Sequence, residues 1–374
     1  MTNTIFNTTK TAKEYGQKKL FGVGHMPLLD TVHTHFPEIK KLYAEMCALK
    51  WSESEIDFSQ CLVDFEQAPK DMSEAMIKTL GWQWHNDSLA AQAPTTIIAP
   101  FEPCTEVWET EVEIQSNELT HSLTYSEIVR MSFKDPNKVL SDILSQQEVY
   151  ERSAIIGSVL KEIQQFSTEY AYLKSINAEL PSEEKVKEIL ILFYFTMLCL
   201  ERVKFMASFA ITFTICKAGY FIPIGSAVMK ICQDELEVHS EYRKEMLKEL
   251  TSDELGRSVF EKLKPRLTHI IEAVVDEDVD WTKNYIFEND TKALVGTNSD
   301  IVCQMVLFFA KDVVNTYKLK TKYTFPKVHP MPHLIEFMDL SKTQMAPMEQ
   351  DIVSYVTQVI DFNDTDTKFN YQFN

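Results

Sequence analysis

The amino-acid sequence predicts an all-α fold, and three observations carry that expectation. Glycine occurs only 9 times in 374 residues, too seldom for a chain built from tight hairpins. Met, Leu, Glu, Lys and Ala, which helices favour, recur through long stretches. Apolar residues return at helical spacing in several segments, and the segment Ile189 to Ile215 is apolar all round except near Glu201, Arg202 and Lys204. That last pattern suits a central core helix better than a surface one.

The elements follow in order. Residues 1–36 are punctuated by Gly16, Gly22, Gly24 and Pro27 and read as irregular. PEIKKLYAEMCALKW, from Pro37, is the first helix, and DMSEAMIKTLGWQWHNDSLAAQ, residues 71–92, the second. Residues 93–103 contain three prolines and read as a connection. CTEVWETEVEIQSNELTHSLTYSEIVRMSF is a long helix that stops near Asp135-Pro136. One further helix is expected within 136–177, then the buried helix over 182–217 and another over 226–250. A helix over 253–284 is expected to break or kink at Pro265. Residues 323–348 read as a surface crossing, and the final NDTDTKFNYQFN as a polar, flexible end. The implied division is an irregular segment 1–36, a helical domain 37–340 and a tail 341–374.

Charge and cysteine usage exclude several classes. A net charge of -18 repels phosphates, which argues against nucleic-acid or anionic-membrane partners. The apolar runs around Glu201 are each too short to span a bilayer, and charges interrupt their junction. The seven cysteines are scattered without a Cys-x-x-Cys pair, which argues against a zinc ribbon and suits a reducing cytoplasm.

The chemistry lies in a long-range echo. Glu118 and His121 stand three apart on one predicted helix, and Glu235 and His239 four apart on another. Either spacing returns two side chains to nearly one helix face, so each pair can grip a metal. Asp87 lies 31 residues before Glu118, and Glu201 lies 34 before Glu235, as two antiparallel helices joined by a turn would place them. Four carboxylates and two imidazoles are the donor set of a carboxylate-bridged di-metal site in a ferritin-like bundle. A carboxylate between apolar runs, as at Glu201, is costly unless paired or metal-bound. Lys204, three residues on, leaves an ordinary ion pair as the competing reading. Tyr125, one turn beyond His121, is either a core tyrosine or a phenol placed to be oxidised. Phe205, Phe209 and Ile231 stand at helical spacing from Glu201 and Glu235 and would form a dry cage around the site.

WETEVEIQSNELTHSLTYSEIVR, with its Glu-x-x-His-x-x-x-Tyr core, resembles the signature of the class I ribonucleotide reductase small subunit (R2, the tyrosyl-radical type). ERVKFMASFA, ICQDELEVH, LKWSESEID and SYVTQVIDF resemble further family segments, so the resemblance covers about residues 20–374. It implies two iron ions, with manganese possible in one or both places. Asp87, Glu118 and His121 would bind one ion, and Glu201, Glu235 and His239 the other. Tyr125 would carry a radical after reaction with O2, fed by an external electron donor. Trp51, with Asp234 and His121, would begin the radical-transfer route, and Tyr355 in the tail would relay it to a large subunit that reduces ribonucleoside diphosphates. The resemblance further implies a homodimer whose tail docks on that large subunit. A related di-metal oxidase and a non-catalytic ferritin-like protein are the alternatives. Two departures stand out. The second ligand pair is Glu235-Leu-Glu-Val-His239, one residue longer than the family's Glu-x-x-His, so a π-bulge absorbs the insertion or the metal geometry differs. Gln233 stands where the family commonly has Arg.

Overall fold

The computed structural model describes residues 10–24 and 28–338. Among them every regular element is helical, with one isolated bridge between Leu294 and Thr297. The expected tail 341–374, with Tyr355, lies outside the described residues.

Local chemistry sets several helix starts. Ser182 accepts from Lys185 N and Glu183 and Glu184 occupy the first turn of helix Glu183–Cys199, which suits its positive N-terminal end. Asp253 caps Glu254–Asp280 through Gly256 N, and Asn298 caps Ser299–Thr316 through Ile301 N. Pro136 opens Pro136–Leu144 behind Asp135, whose side chain accepts from Lys138 N.

The long apolar segment is the hub. Helix Glu183–Cys199 is buried from Ile189 onward, and its continuation Met206–Lys217 is buried as far as Cys216. Helices Ser240–Leu250, Glu254–Asp280 and Ala154–Ser175 pack on the first part, and Lys70–Ala90 and Ser299–Thr316 on the second. Helix Thr105–Ser132 packs between Pro37–Ala48, Ser59–Gln67 and Lys70–Ala90. No described helix is long and apolar enough to cross a membrane.

Three expectations need correction. The helix expected over 136–177 is three pieces: Pro136–Leu144, Gln147–Arg152 and Ala154–Ser175. The second break is held by tertiary contacts, because Ser153 Oγ accepts from Trp82 Nε1 at 3.0 Å and donates to Asn86 Oδ1 at 3.1 Å. Pro265 does not end its helix. Pro265 and Glu261, four residues before it, are both exposed, so water can satisfy the freed carbonyl. Residues 93–103 are not plain connection, since they form the short helices Pro94–Ile98 and Ala99–Phe101. Helices Ser59–Gln67 and Ser299–Thr316 have no counterpart in the sequence reading.

A buried charge cluster locks the hub to its neighbours. The Arg152 guanidinium lies between Trp82 and Trp281, 3.6 and 3.8 Å from the ring centroids. It donates to Asp278 Oδ1 at 2.8 Å and to the Lys204 carbonyl at 2.5 Å. Lys204 pairs with Glu277 at 2.5 Å and with Asp278 at 3.5 Å, so it is not the partner of Glu201. Asp278→Ala strips the shared counter-charge from two buried cations and is expected to cost about 3–5 kcal/mol in chemical denaturation.

Candidate metal centre

Four rods present the ligand set. Asp87 lies in the last turn of helix Lys70–Ala90, and Glu118 and His121 lie mid-way along Thr105–Ser132. Glu201 sits in a π-turn, Leu200–Lys204, and Glu235 and His239 in a second, Asp234–His239. A π-turn closes its hydrogen bonds one residue further along than an α-turn, so it accommodates the residue inserted between Glu235 and His239. The two π-turns touch. Glu237 of the insertion is exposed and faces away from the cluster.

All six side chains are at most 1% exposed. One donor atom from each of Asp87, Glu118, His121 and Glu235 lies within 4.8 Å of the others, and the same holds for Glu118, Glu201, Glu235 and His239. Glu118 and Glu235 belong to both groups, which is the arrangement of bridging carboxylates. The donor atoms make no close hydrogen bond: Asp87 Oδ1 and Oδ2, Glu118 Oε2, His121 Nδ1, Glu235 Oε1 and Oε2 and His239 Nδ1 are buried without one, and the imidazoles meet Glu118 and Glu235 only at 3.3–3.5 Å. Orphaned buried donors on this scale are expensive unless something binds them. Four carboxylates offset the charge of two divalent cations, so the residues present fit a di-metal site.

The outer faces of the ligands are held. His121 Nε2 lies 3.0 Å from Asp234 Oδ2, which also accepts from Trp51 Nε1 at 2.8 Å. Asp234 therefore leaves the Nδ1 lone pair of His121 for the interior. Trp51 stacks on His121 with ring centroids 5.9 Å apart. Asn117 Nδ2 lies 3.4 Å from His239 Nε2. Glu201 accepts from Arg243 Nε at 3.0 and 3.3 Å, and Arg243 reaches on to Glu111 at 2.8 Å. Arg243, Glu111 and Asn117 were missing from the sequence reading. Their signal was helical spacing alone: Arg243 is four residues after His239, and Asn117 and Glu111 are one and seven before Glu118.

Tyr125 is 1% exposed, and its Oη has no hydrogen-bond partner. Burial, with the Asp87 charge behind it, pushes the phenol well above its usual range and so keeps it protonated. Phe205 and Phe209 stack at 5.3 Å, Phe205 meets Trp82 edge-on at 5.1 Å, and Ile231 is fully buried.

Without metal, three of these groups, Asp87, Glu201 and His239, hold protons more tightly than usual. Burial pushes Glu201 up to about 8 despite Arg243, and burial and the neighbouring Glu118 push Asp87 well up. Burial opposes the charge on His239, but Glu235 and Glu118 outweigh it and raise the imidazole to about 10. Burial likewise opposes the charge on Glu118, yet His121 and His239 hold it down to about 2. A cation entering the site must displace the protons of the raised groups. Uptake of divalent metal by the metal-free protein is therefore expected to release protons, and to tighten as pH rises through about 8, where Glu201 ionises. Calorimetric titration in buffers of different ionisation enthalpy measures this; a pH-independent affinity contradicts it.

The model of the family "Ribonucleotide reductase, small chain" matches residues 30–330. The ribonucleoside-diphosphate reductase 1 subunit beta of Escherichia coli O157:H7 is 25% identical over 344 residues, covering 89% of this chain and 90% of that one. The ribonucleoside-diphosphate reductase subunit beta of Enterobacteria phage T4 is 22% identical over 99% of both chains. Among solved structures, the ribonucleotide reductase R2 subunit from Clostridium botulinum superposes with a TM-score of 0.73 at 16% identity, covering 91% of this chain and 99% of that one. The dimanganese(II)-NrdF of Streptococcus sanguinis superposes at 0.62 with 12% identity, over 84% of this chain and 100% of that one. A family match across most of the chain, on a helical fold that assembles the expected donor set, leads to one conclusion: this chain belongs to the ribonucleotide reductase small-chain family.

Proposed function

We propose that this chain is the radical-generating small subunit of a class I ribonucleoside-diphosphate reductase. The observation that carries the reading is the hydrogen-bonded line from half-buried Trp51 through Asp234 to His121, ending at a buried donor cluster with Tyr125 enclosed beside it. A metal store or a stand-alone oxidase needs no such line from outside to inside.

Asp87, Glu118 and His121 hold one metal and Glu201, Glu235 and His239 the other, with Glu118 and Glu235 shared between them. When bound, two iron ions, or manganese in one or both positions, reduce O2 and supply the oxidising equivalent. Tyr125 yields one electron and its Oη proton, with Asp87 as the carboxylate that faces the phenol. The dry packing of Phe205, Phe209 and Ile231 keeps water and reductants from the resulting radical. To pass the hole outward, Trp51 releases an electron toward Tyr125 and its Nε1 proton toward Asp234 Oδ2, which already accepts that hydrogen bond at 2.8 Å. Tyr355 continues the relay to the large subunit, on which residues 341–374 dock, and the small subunit works as a homodimer in the cytoplasm. External electrons assemble the cofactor.

Two outcomes test this. Aerobically reconstituted protein is expected to show a tyrosyl radical by electron paramagnetic resonance, and Tyr125→Phe to lose that stable signal while binding metal normally; an unchanged signal overturns the assignment. His239→Ala is expected to bind well below two metals per chain by elemental analysis, and retention of both contradicts the ligand set.

A further inference from the structure

The Glu201 side of the cluster carries buried groups that radical transfer through Trp51 does not use. Arg243 is fully buried and joins Glu201, at 3.0 Å, to Glu111, at 2.8 Å. Tyr242 is also fully buried, and its Oη donates to the same Glu111 oxygen at 3.0 Å. Tyr194 packs edge-on against Tyr242 with centroids 6.1 Å apart, but its own Oη has no hydrogen-bond partner.

This is a phenol with a proton acceptor already in place, linked to a metal ligand by three short contacts. A buried phenol that loses an electron but keeps its proton becomes a cation in a medium that solvates charge poorly, which is costly. Oxidation is therefore feasible where a base takes the proton in the same event. Glu111 Oε1 already accepts the Tyr242 hydrogen bond and is positioned to be that base, and the Arg243 guanidinium at 2.8 Å holds its carboxylate in place. The Glu111 charge also acts on Tyr194, packed against the same ring, but it is Tyr242 that donates to that carboxylate.

We propose that Tyr242 is a second oxidisable tyrosine, a reserve electron donor that reaches the di-metal centre through Glu201 and not through the Trp51–Asp234–His121 line. The inference rests on the proposed function, which supplies the oxidant. In the step, the Tyr242 O–H bond breaks, its proton goes to Glu111 Oε1 and one electron leaves along the Glu111–Arg243–Glu201 contacts; a metal pair oxidised by O2 and held by the six ligands would accept it. The products are a neutral Tyr242 radical, a Glu111 carboxylic acid held by Arg243, and a centre reduced by one electron. The role is protective: an oxidised centre that fails to draw on Tyr125 is discharged before it damages its own ligands.

The test uses the full chain carrying Tyr125→Phe, loaded with Fe(II) without oxygen, mixed with O2, freeze-quenched and examined by electron paramagnetic resonance, with and without ring-deuterated tyrosine. A transient tyrosyl signal that narrows on deuteration is expected. It is expected to be lost in Tyr125→Phe/Tyr242→Phe, retained in Tyr125→Phe/Tyr194→Phe, and lost in Tyr125→Phe/Glu111→Gln, which keeps the ring but removes the base. Metal content is measured for each variant; if the Tyr242 change impairs loading, the Glu111→Gln variant decides. A signal that survives loss of Tyr242 or of the Glu111 base with both metals bound overturns the proposal, as does the absence of any tyrosyl signal in Tyr125→Phe when wild type shows one. A wild-type protein without a tyrosyl radical removes the parent reading instead, and this one with it.

Discussion

Everything in this fold answers to the burial of an ionisable cluster: Asp87, Glu118, Glu201, Glu235, His121 and His239 are packed together with almost no access to water. Such a cluster is tolerable only if its charges are neutralised from inside and its orientations are held from outside. Two divalent cations would offset the carboxylates from within. Asp234, Asn117 and Arg243 hold the outer faces, so the inner atoms are left pointing at one another. The raised Glu201, Asp87 and His239 show the same conflict in another form: in the absence of metal the interior favours neutral Glu201 and Asp87 and a charged His239.

The bundle meets this demand by departing from α geometry where the ligands sit. Glu201 and the Glu235–His239 pair each fall in a π-turn, and these turns are in contact. A widened turn alters the direction in which a helix presents its side chains and leaves backbone carbonyls in need of partners. Arg152 supplies one, bonding the Lys204 carbonyl at the end of the first π-turn while anchored on Asp278. The indole rings of Trp82 and Trp281 flank that guanidinium, so the support of the Glu201 turn is continuous with the core.

The sequence by itself determined the helical class, because helical periodicity and glycine scarcity are local properties. It also determined the six-residue donor set, because Glu118–His121 and Glu235–His239 advertise themselves by spacing along single helices, and the cost of a carboxylate between apolar runs singles out Glu201. Trp51 and Asp234 were legible only through resemblance, since 183 residues separate the partners of a 2.8 Å hydrogen bond. Tertiary structure alone decided who partners Glu201. Helical spacing proposed Lys204, but that lysine turns to Glu277 and Asp278, and Arg243 from another helix takes its place. Tertiary structure also decided that the residue inserted before His239 is absorbed by a π-turn, and that helix breaks fall at Ser153 and not at Pro265. For the partner of Glu201 and the break at Ser153, the deciding energy came from contacts between segments distant in the chain, and no local pattern encodes those.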